Sequence, residues 1–334
     1  MNQPRISIVI PAYNASSTIN RCLNSLYKLP LAESDFEVIV VDDCSQDNTA
    51  ELVEAYAKRH SNLALLRQPE NHSLGAARNR GVSIAQGKYI VFVDSDDESA
   101  EGMPFAVQLA EENDLDMVAM RFVRIAQDGS TEKEISLPYD KSNVYTGVEM
   151  QTEFPYWAAS VWPYVYKRSF LEEVEYPFAE DVFYEDSDFT NVHLFHAKRM
   201  SYCDVCGYVV HSNPASITHT LSFKHLSDYA LMGTRMLRFF ENLEDMTSLY
   251  AQGIREGGQY NITKSFHRLP KLKSRSAVRS FYKRLDAHFD RKQLIGRHEL
   301  EYHWDLWTRL GLKHQSLCVF LLGCIFPIVK LFKK

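Results

Sequence analysis

Several common signatures are missing from this 334-residue chain, and each absence removes a class of function. No Gly-x-Gly-x-x-Gly follows the first apolar run, which argues against a dinucleotide-linked oxidoreductase. Residues 11 to 17 hold neither glycine nor lysine, so the glycine-rich basic loop typical of nucleotidyltransferases is absent too. There is no excess positive charge: the formal net charge is -6, and the whole-molecule field does not favour nucleic acid. The six cysteines follow no disulfide-framework spacing, and the Cys203-Asp-Val-Cys206 pair has no second Cys/His pair at zinc-finger distance. They read as reduced, structural thiols. Met1 to Arg5 is polar and runs straight into Ile6-Ser7-Ile8-Val9-Ile10, with no leader pattern, which places the expected site in the cytosol.

A long apolar run is lacking as well. Leu317 to Val329 is nearly all apolar and is followed by Lys330, Lys333 and Lys334. As a helix it would reach about 20 Å, short of the roughly 30 Å hydrocarbon core. Pro327 also interrupts it. The pattern suits an interfacial segment with lysines at headgroup level, and a buried terminal helix is the alternative. A second biased stretch runs from Lys264 to Arg284, with eight basic and no acidic residues. It is either a solvated helix face or a surface that meets anionic lipid or a phosphate-bearing acceptor.

The first 120 residues alternate short β-branched runs with helical periodicity. Strands are predicted at 6–10, 36–41, 63–66, 89–93 and 116–120. Ser16 or Ser17 is positioned to cap a helix carrying Ile19, Cys22, Leu23 and Leu26, and Asp47 and Asn48 to open the next. Gly87 reads as the close of the helix before strand four. Continuous apolar strands between amphipathic helices imply an α/β fold with a mostly parallel central sheet covered on both faces. Residues 121–221 read as mixed strand and loop, and the chain from Leu221 onward as helical. The expected domains are 1–220, a helical extension 221–315, and an apolar, basic, membrane-associating tail 316–334.

Ligands of such sheets sit at the carboxyl ends of the strands. There the sequence turns abruptly polar: Pro11-Ala12-Tyr13-Asn14 after strand one, Val41-Asp42-Asp43-Cys44-Ser45 after strand two, and Asp94-Ser95-Asp96-Asp97 after strand four. Three carboxylates within four residues repel one another unless a cation neutralises them, and Mg²⁺ or Mn²⁺ prefers oxygen ligands and keeps substrate phosphates. An aromatic ring on the same rim can stack on a base, and Arg78 or a helix N-terminus can meet a diphosphate.

This ordered set resembles the family 2 glycosyltransferases of the GT-A fold. It is carried by 7–14, 41–45, Gly75-Ala76-Ala77-Arg78-Asn79, 92–97, Trp162-Pro163-Tyr164-Val165-Tyr166-Lys167-Arg168 and Glu185-Asp186-Ser187-Asp188-Phe189, and covers residues 5–220. The resemblance implies a metal-dependent, inverting transfer of one sugar from a nucleotide-diphosphate donor to a sugar or lipid-linked acceptor, in surface polysaccharide or glycolipid synthesis. UDP-sugars lead, because Tyr13 with a carboxylate such as Asp43 suits a uracil N3–H. It further implies donor contacts from Pro11, Tyr13, Asn14, Asp43, Arg78, Asp94 and Ser95. Asp94 would hold ribose or metal, Asp96 would ligate the metal, and Asp186 would be the catalytic base. Asp97, Trp162 and Glu185 fall to the acceptor side, and His211 is a further candidate metal ligand. Cys44 stands where the family's loop has glycine, so a left-handed backbone there would strain it. A nucleotidyltransferase and a non-catalytic nucleotide-sugar binder are the rival readings. The expected location is peripheral, on the inner face of the membrane.

Overall fold

A computed structural model describes residues 3–135, 143–153, 160–213, 221–288 and 306–322. Residues 323–334 of the apolar, basic tail, with Cys324, fall outside that set. The chain divides into two compact units, Met1–Pro214 and Ala215–Lys334.

The first unit opens with β1 (Ile6–Ala12), α1 (Ile19–Leu26), β2 (Phe36–Asp42), α2 (Thr49–Ala57), β3 (Leu63–Arg67), α3 (Ser73–Ile84) and β4 (Tyr89–Phe92). It continues with β5 (Glu98–Ser99), α4 (Gly102–Glu112), β6 (Met117–Ile125), β7 (Thr131–Ile135) and α5 (Gly147–Glu153). Last come β8 (Tyr164–Lys167), α6 (Arg168–Val174), α7 (Glu185–His196) and β9 (Met200–His211). The strands form one sheet in the order β3-β2-β1-β4-β8-β6-β9-β5, with β7 on β6. β3, β2, β1 and β4 are mutually parallel. β8 is the antiparallel strand between β4 and β6, and β9 then runs parallel to β6. Every residue of β1 and β4 is buried, as two-sided helix cover requires. Because β1 pairs with β2 on one side and β4 on the other, the chain reverses its winding there. That switch point opens a crevice at the carboxyl ends of these strands.

Local details depart from the sequence reading for identifiable reasons. Thr18, not Ser16 or Ser17, is the N-cap of α1, and the backbone N–H groups of Thr18 and Ile19 bond the Ala15 carbonyl. α3 ends at Ile84, so Gly87 does not close it. A Cβ at Gly87 would lie 2.4 Å from the Ser7 nitrogen; the glycine is there to let this turn touch β1. The stretch read as strand and loop contains α5, α6 and α7. Cys203 and Cys206 lie within β9, where their thiols approach the carbonyls of Gly102 and Tyr208.

The second unit contains α8 (Phe223–Glu241), α9 (Leu249–Arg268), a 3₁₀ turn (Leu269–Leu272), α10 (Arg275–His288) and α11 (Leu306–Lys313). Ser222 caps α8 by accepting from the His225 N–H, and the His225 side chain answers the Ser222 N–H. α8 and α9 approach backbone to backbone. A Cβ at Gly233 would lie 2.5 Å from the Gly258 carbonyl oxygen, and one at Gly258 2.8 Å from that of Gly233. Asp228, fully buried, is held by Lys224 at 2.5 Å and by Arg284.

Alanine normally gains about 1 kcal/mol over glycine inside a helix. At Gly233 the sign reverses, because the obstructing atom belongs to the backbone. Gly233→Ala is expected to cost about 1–3 kcal/mol of unfolding free energy. Urea denaturation of the full chain followed by helical circular dichroism checks this; a stabilised variant would contradict the packing.

Candidate active site

The loops after β1 and β2 lock together. The Asp43 N–H bonds the Ala12 carbonyl at 2.8 Å, the Asn14 N–H bonds Ser45 Oγ at 2.9 Å, and Asn14 Oδ1 accepts the Gln46 N–H at 2.7 Å. Asn14 and Cys44 both hold left-handed backbones, φ 50° and 62°. The same is true of Ser73, Asp181 and Tyr184 on neighbouring loops, so backbone strain gathers on this rim. Tyr13 presents its ring there, 45% exposed, while Pro11 is buried within β1.

Asp43 sits at the base of the rim, 1% exposed. Its carboxylate accepts the N–H groups of His72 and Ser73, each at 2.8 Å, and Gln68 Nε2 at 2.7 Å, so it fixes the start of α3. Desolvation raises its pKa against those hydrogen bonds.

The loop after β4 turns tightly, with the Asp97 N–H on the Asp94 carbonyl at 3.0 Å and Ser95 and Asp96 at the corners. Tyr208 of β9, fully buried, braces it: its hydroxyl accepts the Asp94 N–H and donates to Asp97 Oδ2, both at 3.0 Å. Asp97 also accepts the His211 N–H at 2.7 Å. It is 4% exposed, and burial followed by the charges of Asp94 and Asp96 pushes its pKa well up. Asp97 is thus a staple inside the loop. Trp162 supports the same brace. It stacks on Tyr208 with centroids 4.6 Å apart and meets Phe122 edge-on at 4.6 Å, within the core.

Asp94 and Asp96 remain partly exposed at the rim. Asp96 takes one hydrogen bond from Asn213 Nδ2 at 3.1 Å, and its pKa is raised by desolvation and then by Asp94. Two oxygen-bearing side chains that repel in a partly dry crevice suit a hard divalent cation. Among the described residues no group of three or more His, Cys, Asp or Glu side chains converges as a metal cage. His211 does not join the pair: its Nε2 lies 2.6 Å from Glu98 Oε1, the nearer anion. Glu98 also faces Arg21 of α1 at 3.6 Å, and Arg21 donates to the Asp96 carbonyl. Arg21, Glu98, Tyr208 and Asn213 shape the loop, yet nothing in the sequence singles them out except the acidic run that contains Glu98.

Arg78 joins this loop to the second acidic element. It projects from α3, 2% exposed, and donates to Asp94 Oδ1 at 2.8 Å and to Glu185 Oε1 at 2.5 Å. Its guanidinium carbon lies 5.5 Å from the centre of the Phe178 ring. Burial alone would lower its pKa; Asp94, Glu185 and Asp186 outweigh that and raise it. Arg78 is therefore a buried internal bridge, and Glu185, 5% exposed, is the other end of it. Glu185 and Asp186 open α7, where carboxylates meet the positive end of the helix dipole. Asp186 is partly exposed, with its pKa raised by desolvation and by Glu185, and lowered by Arg78. The geometry gathers a repelling pair of carboxylates beside a high-pKa carboxylate, the elements of cation binding and proton acceptance.

Arg78→Met would leave Asp94, Glu185 and Asp186 without their shared counter-charge. A loss of about 3–5 kcal/mol in unfolding free energy is expected, measured by chemical denaturation at neutral pH. Cys44→Gly relieves a left-handed side-chain penalty and is expected to hold or gain up to about 1 kcal/mol, whereas Cys44→Val should lose about 1–3 kcal/mol. Paired thermal melts decide between strain and an unstrained loop.

Comparison with known proteins places this geometry. The family model described as "Glycosyl transferase family 2" matches residues 7–173. The uncharacterized glycosyltransferase EpsJ of Bacillus subtilis is 35% identical over 225 residues, 64% of this chain and 63% of that relative's length. The uncharacterized glycosyltransferase YibD of Escherichia coli is 30% identical over 248 residues, 72% of this chain and 71% of its own. Among solved structures, Staphylococcus aureus TarS 1–349 in complex with UDP-GlcNAc aligns with a TM-score of 0.62 at 20% identity, over 90% of this chain and 94% of that one. The mannosyltransferase PcManGT of Pyrobaculum calidifontis, in complex with GDP-Man and Mn²⁺, aligns at 0.56 and 18% identity, over 97% of this chain and 88% of that one. The shared fold is the GT-A type expected from the sequence. The chain belongs to glycosyl transferase family 2 and is a glycosyltransferase.

Proposed function

We propose that the enzyme transfers a single sugar from a nucleoside-diphosphate sugar, UDP-sugars favoured, to a saccharide or lipid-linked acceptor, with inversion at the anomeric carbon. One observation carries the reading: a single buried guanidinium ties the Asp94 loop to the Glu185–Asp186 helix start, which holds the cation-binding carboxylates and the base on one rim. TarS, whose complex holds UDP-GlcNAc, is itself named a poly(ribitol-phosphate) β-N-acetylglucosaminyltransferase and is 37% identical to this chain over 120 residues, which supports a UDP-sugar donor and a surface-polymer setting.

Tyr13 stacks on the base, and the loops after β1 and β2 hold the nucleoside. Asp94 and Asp96 are the residues that would hold Mn²⁺ or Mg²⁺, which supplies positive charge to the diphosphate leaving group. Asp186 accepts the acceptor hydroxyl proton while that oxygen forms its bond to the anomeric carbon and the bond to the diphosphate oxygen breaks. A single displacement from the opposite face gives inversion. Desolvation makes Asp186 a stronger base than a solvated aspartate, which is what a proton acceptor near neutral pH requires. Among the described residues no helix is long and apolar enough to cross a membrane. Peripheral attachment at the cytoplasmic face, aided by the tail from 316 onward, is our reading of its location.

Asp186→Asn is expected to cut transfer by about 10²- to 10⁴-fold while UDP with Mn²⁺ still raises the melting temperature. The raised pKa of Asp186 has a definite sign. Between the ordinary aspartate range and about 8 the fold keeps a proton that the unfolded chain releases, so stability falls as pH rises across that window, and the Asn variant should melt higher than the parent near neutral pH and equal it in acid. The acid limb of kcat/KM should lie above the ordinary carboxylate range. Full transfer by the Asn variant would remove Asp186 as base.

A further inference from the structure

The basic stretch from 264 to 284 is sorted by the fold into two sets. Lys264 turns inward, 3.3 Å from the Tyr229 hydroxyl and over the rings of Tyr229 and Tyr260, and Arg284 is spent on buried Asp228. Arg268, Lys271, Lys273, Arg275, Arg279 and Lys283 are exposed. No acidic residue occurs between Glu256 and Asp286 to offset them, although the chain as a whole carries -6. Arg275, Arg279 and Lys283 recur every four residues, so they form one stripe along α10. The opposite face of α10 is committed to the core: Val278, Phe281 and Tyr282 are fully buried and Leu285 is 1% exposed. This helix therefore cannot roll over and insert; it can offer only charge.

An apolar element packs against the same helix through Tyr282. In the helical stretch 315–322, Leu317 is 45% and Phe320 59% exposed, three residues apart on one face. Buried Cys318 between them hydrogen-bonds the Tyr282 side chain, and Tyr282 lies between Arg279 and Lys283 in sequence. Tyr282 also donates to the Gly311 carbonyl at 3.0 Å, which fixes this end of the chain against α10. Fixed cations beside a pair of exposed apolar side chains match the boundary between anionic headgroups and acyl chains. A soluble phosphate polymer would find the charge but has no use for the leucine and phenylalanine.

We infer that the α9–α10 elbow, Arg268 to Lys283, is a docking surface for an anionic lipid bilayer, with Leu317 and Phe320 entering the headgroup boundary. This deepens the peripheral-membrane part of the proposed function and is independent of the donor and base assignments. Each basic residue near such a surface multiplies partitioning by roughly fivefold.

The test is co-sedimentation of the full chain with vesicles of phosphatidylcholine alone and of phosphatidylcholine mixed with phosphatidylglycerol. Binding to the anionic vesicles only, weakened by salt, is expected. Arg275→Gln/Arg279→Gln/Lys283→Gln should weaken it roughly a hundredfold. Leu317→Ser/Phe320→Ser should reduce what survives at high salt. Both variants should keep the parent's thermal shift with UDP and Mn²⁺, which separates failure at this surface from failure of the donor reading. Equal binding to neutral vesicles, or no loss in the triple variant, overturns the proposal. Tighter binding of soluble polyphosphate than of anionic vesicles also overturns it, in favour of a polymer site.

Discussion

The active rim depends on one buried cation. Arg78 faces Asp94 and Glu185 with Asp186 nearby, three carboxylates around a single guanidinium in a place that water barely reaches. Burying charge is costly unless it is paired, and here the pairing is incomplete by design of the site: negative charge is left over. Burial first, and that surplus second, raise the pKa of Asp186 and, across the loop, of Asp96 and Asp97. Additional positive charge would relieve it.

The scaffold around this cluster is built to tolerate it. Tyr208 satisfies both the Asp94 N–H and the Asp97 carboxylate with one hydroxyl, and is itself clamped against Trp162. Asp43 spends its oxygens on the start of α3, which aims Arg78 at the crevice. Left-handed residues at Asn14, Cys44, Ser73, Asp181 and Tyr184 let loops from distant parts of the chain meet in a small volume. Rigid strands carry the cost of that local strain, because β1 and β4 are dry on both faces.

The helical unit follows another logic. Gly233 and Gly258 bring α8 and α9 together at backbone distance, and Asp228 with its two cations pins α10 onto them. This packing consumes every strongly apolar face of α10. It thereby decides which of the basic residues remain outside.

The sequence by itself determined the parallel half of the sheet, since continuous β-branched runs separated by helical periodicity have few other ways to bury their faces. It also determined where the chemistry would lie, because strand ends that turn to Asp, Asn and Tyr put polar groups at one edge. The strain at Cys44 was foreshadowed by the resemblance, because the family's loop has glycine there and only glycine accepts a left-handed backbone freely. What each charged side chain does was decided by tertiary structure. Arg78 and Glu185 lie 107 residues apart, and no local pattern can tell that they pair. That Asp97 staples its loop and Trp162 stacks on Tyr208 also follows only from the three-dimensional arrangement. Periodicity reports which face of an element is dry; it does not report which partner arrives there, and for buried charges the partner fixes the role.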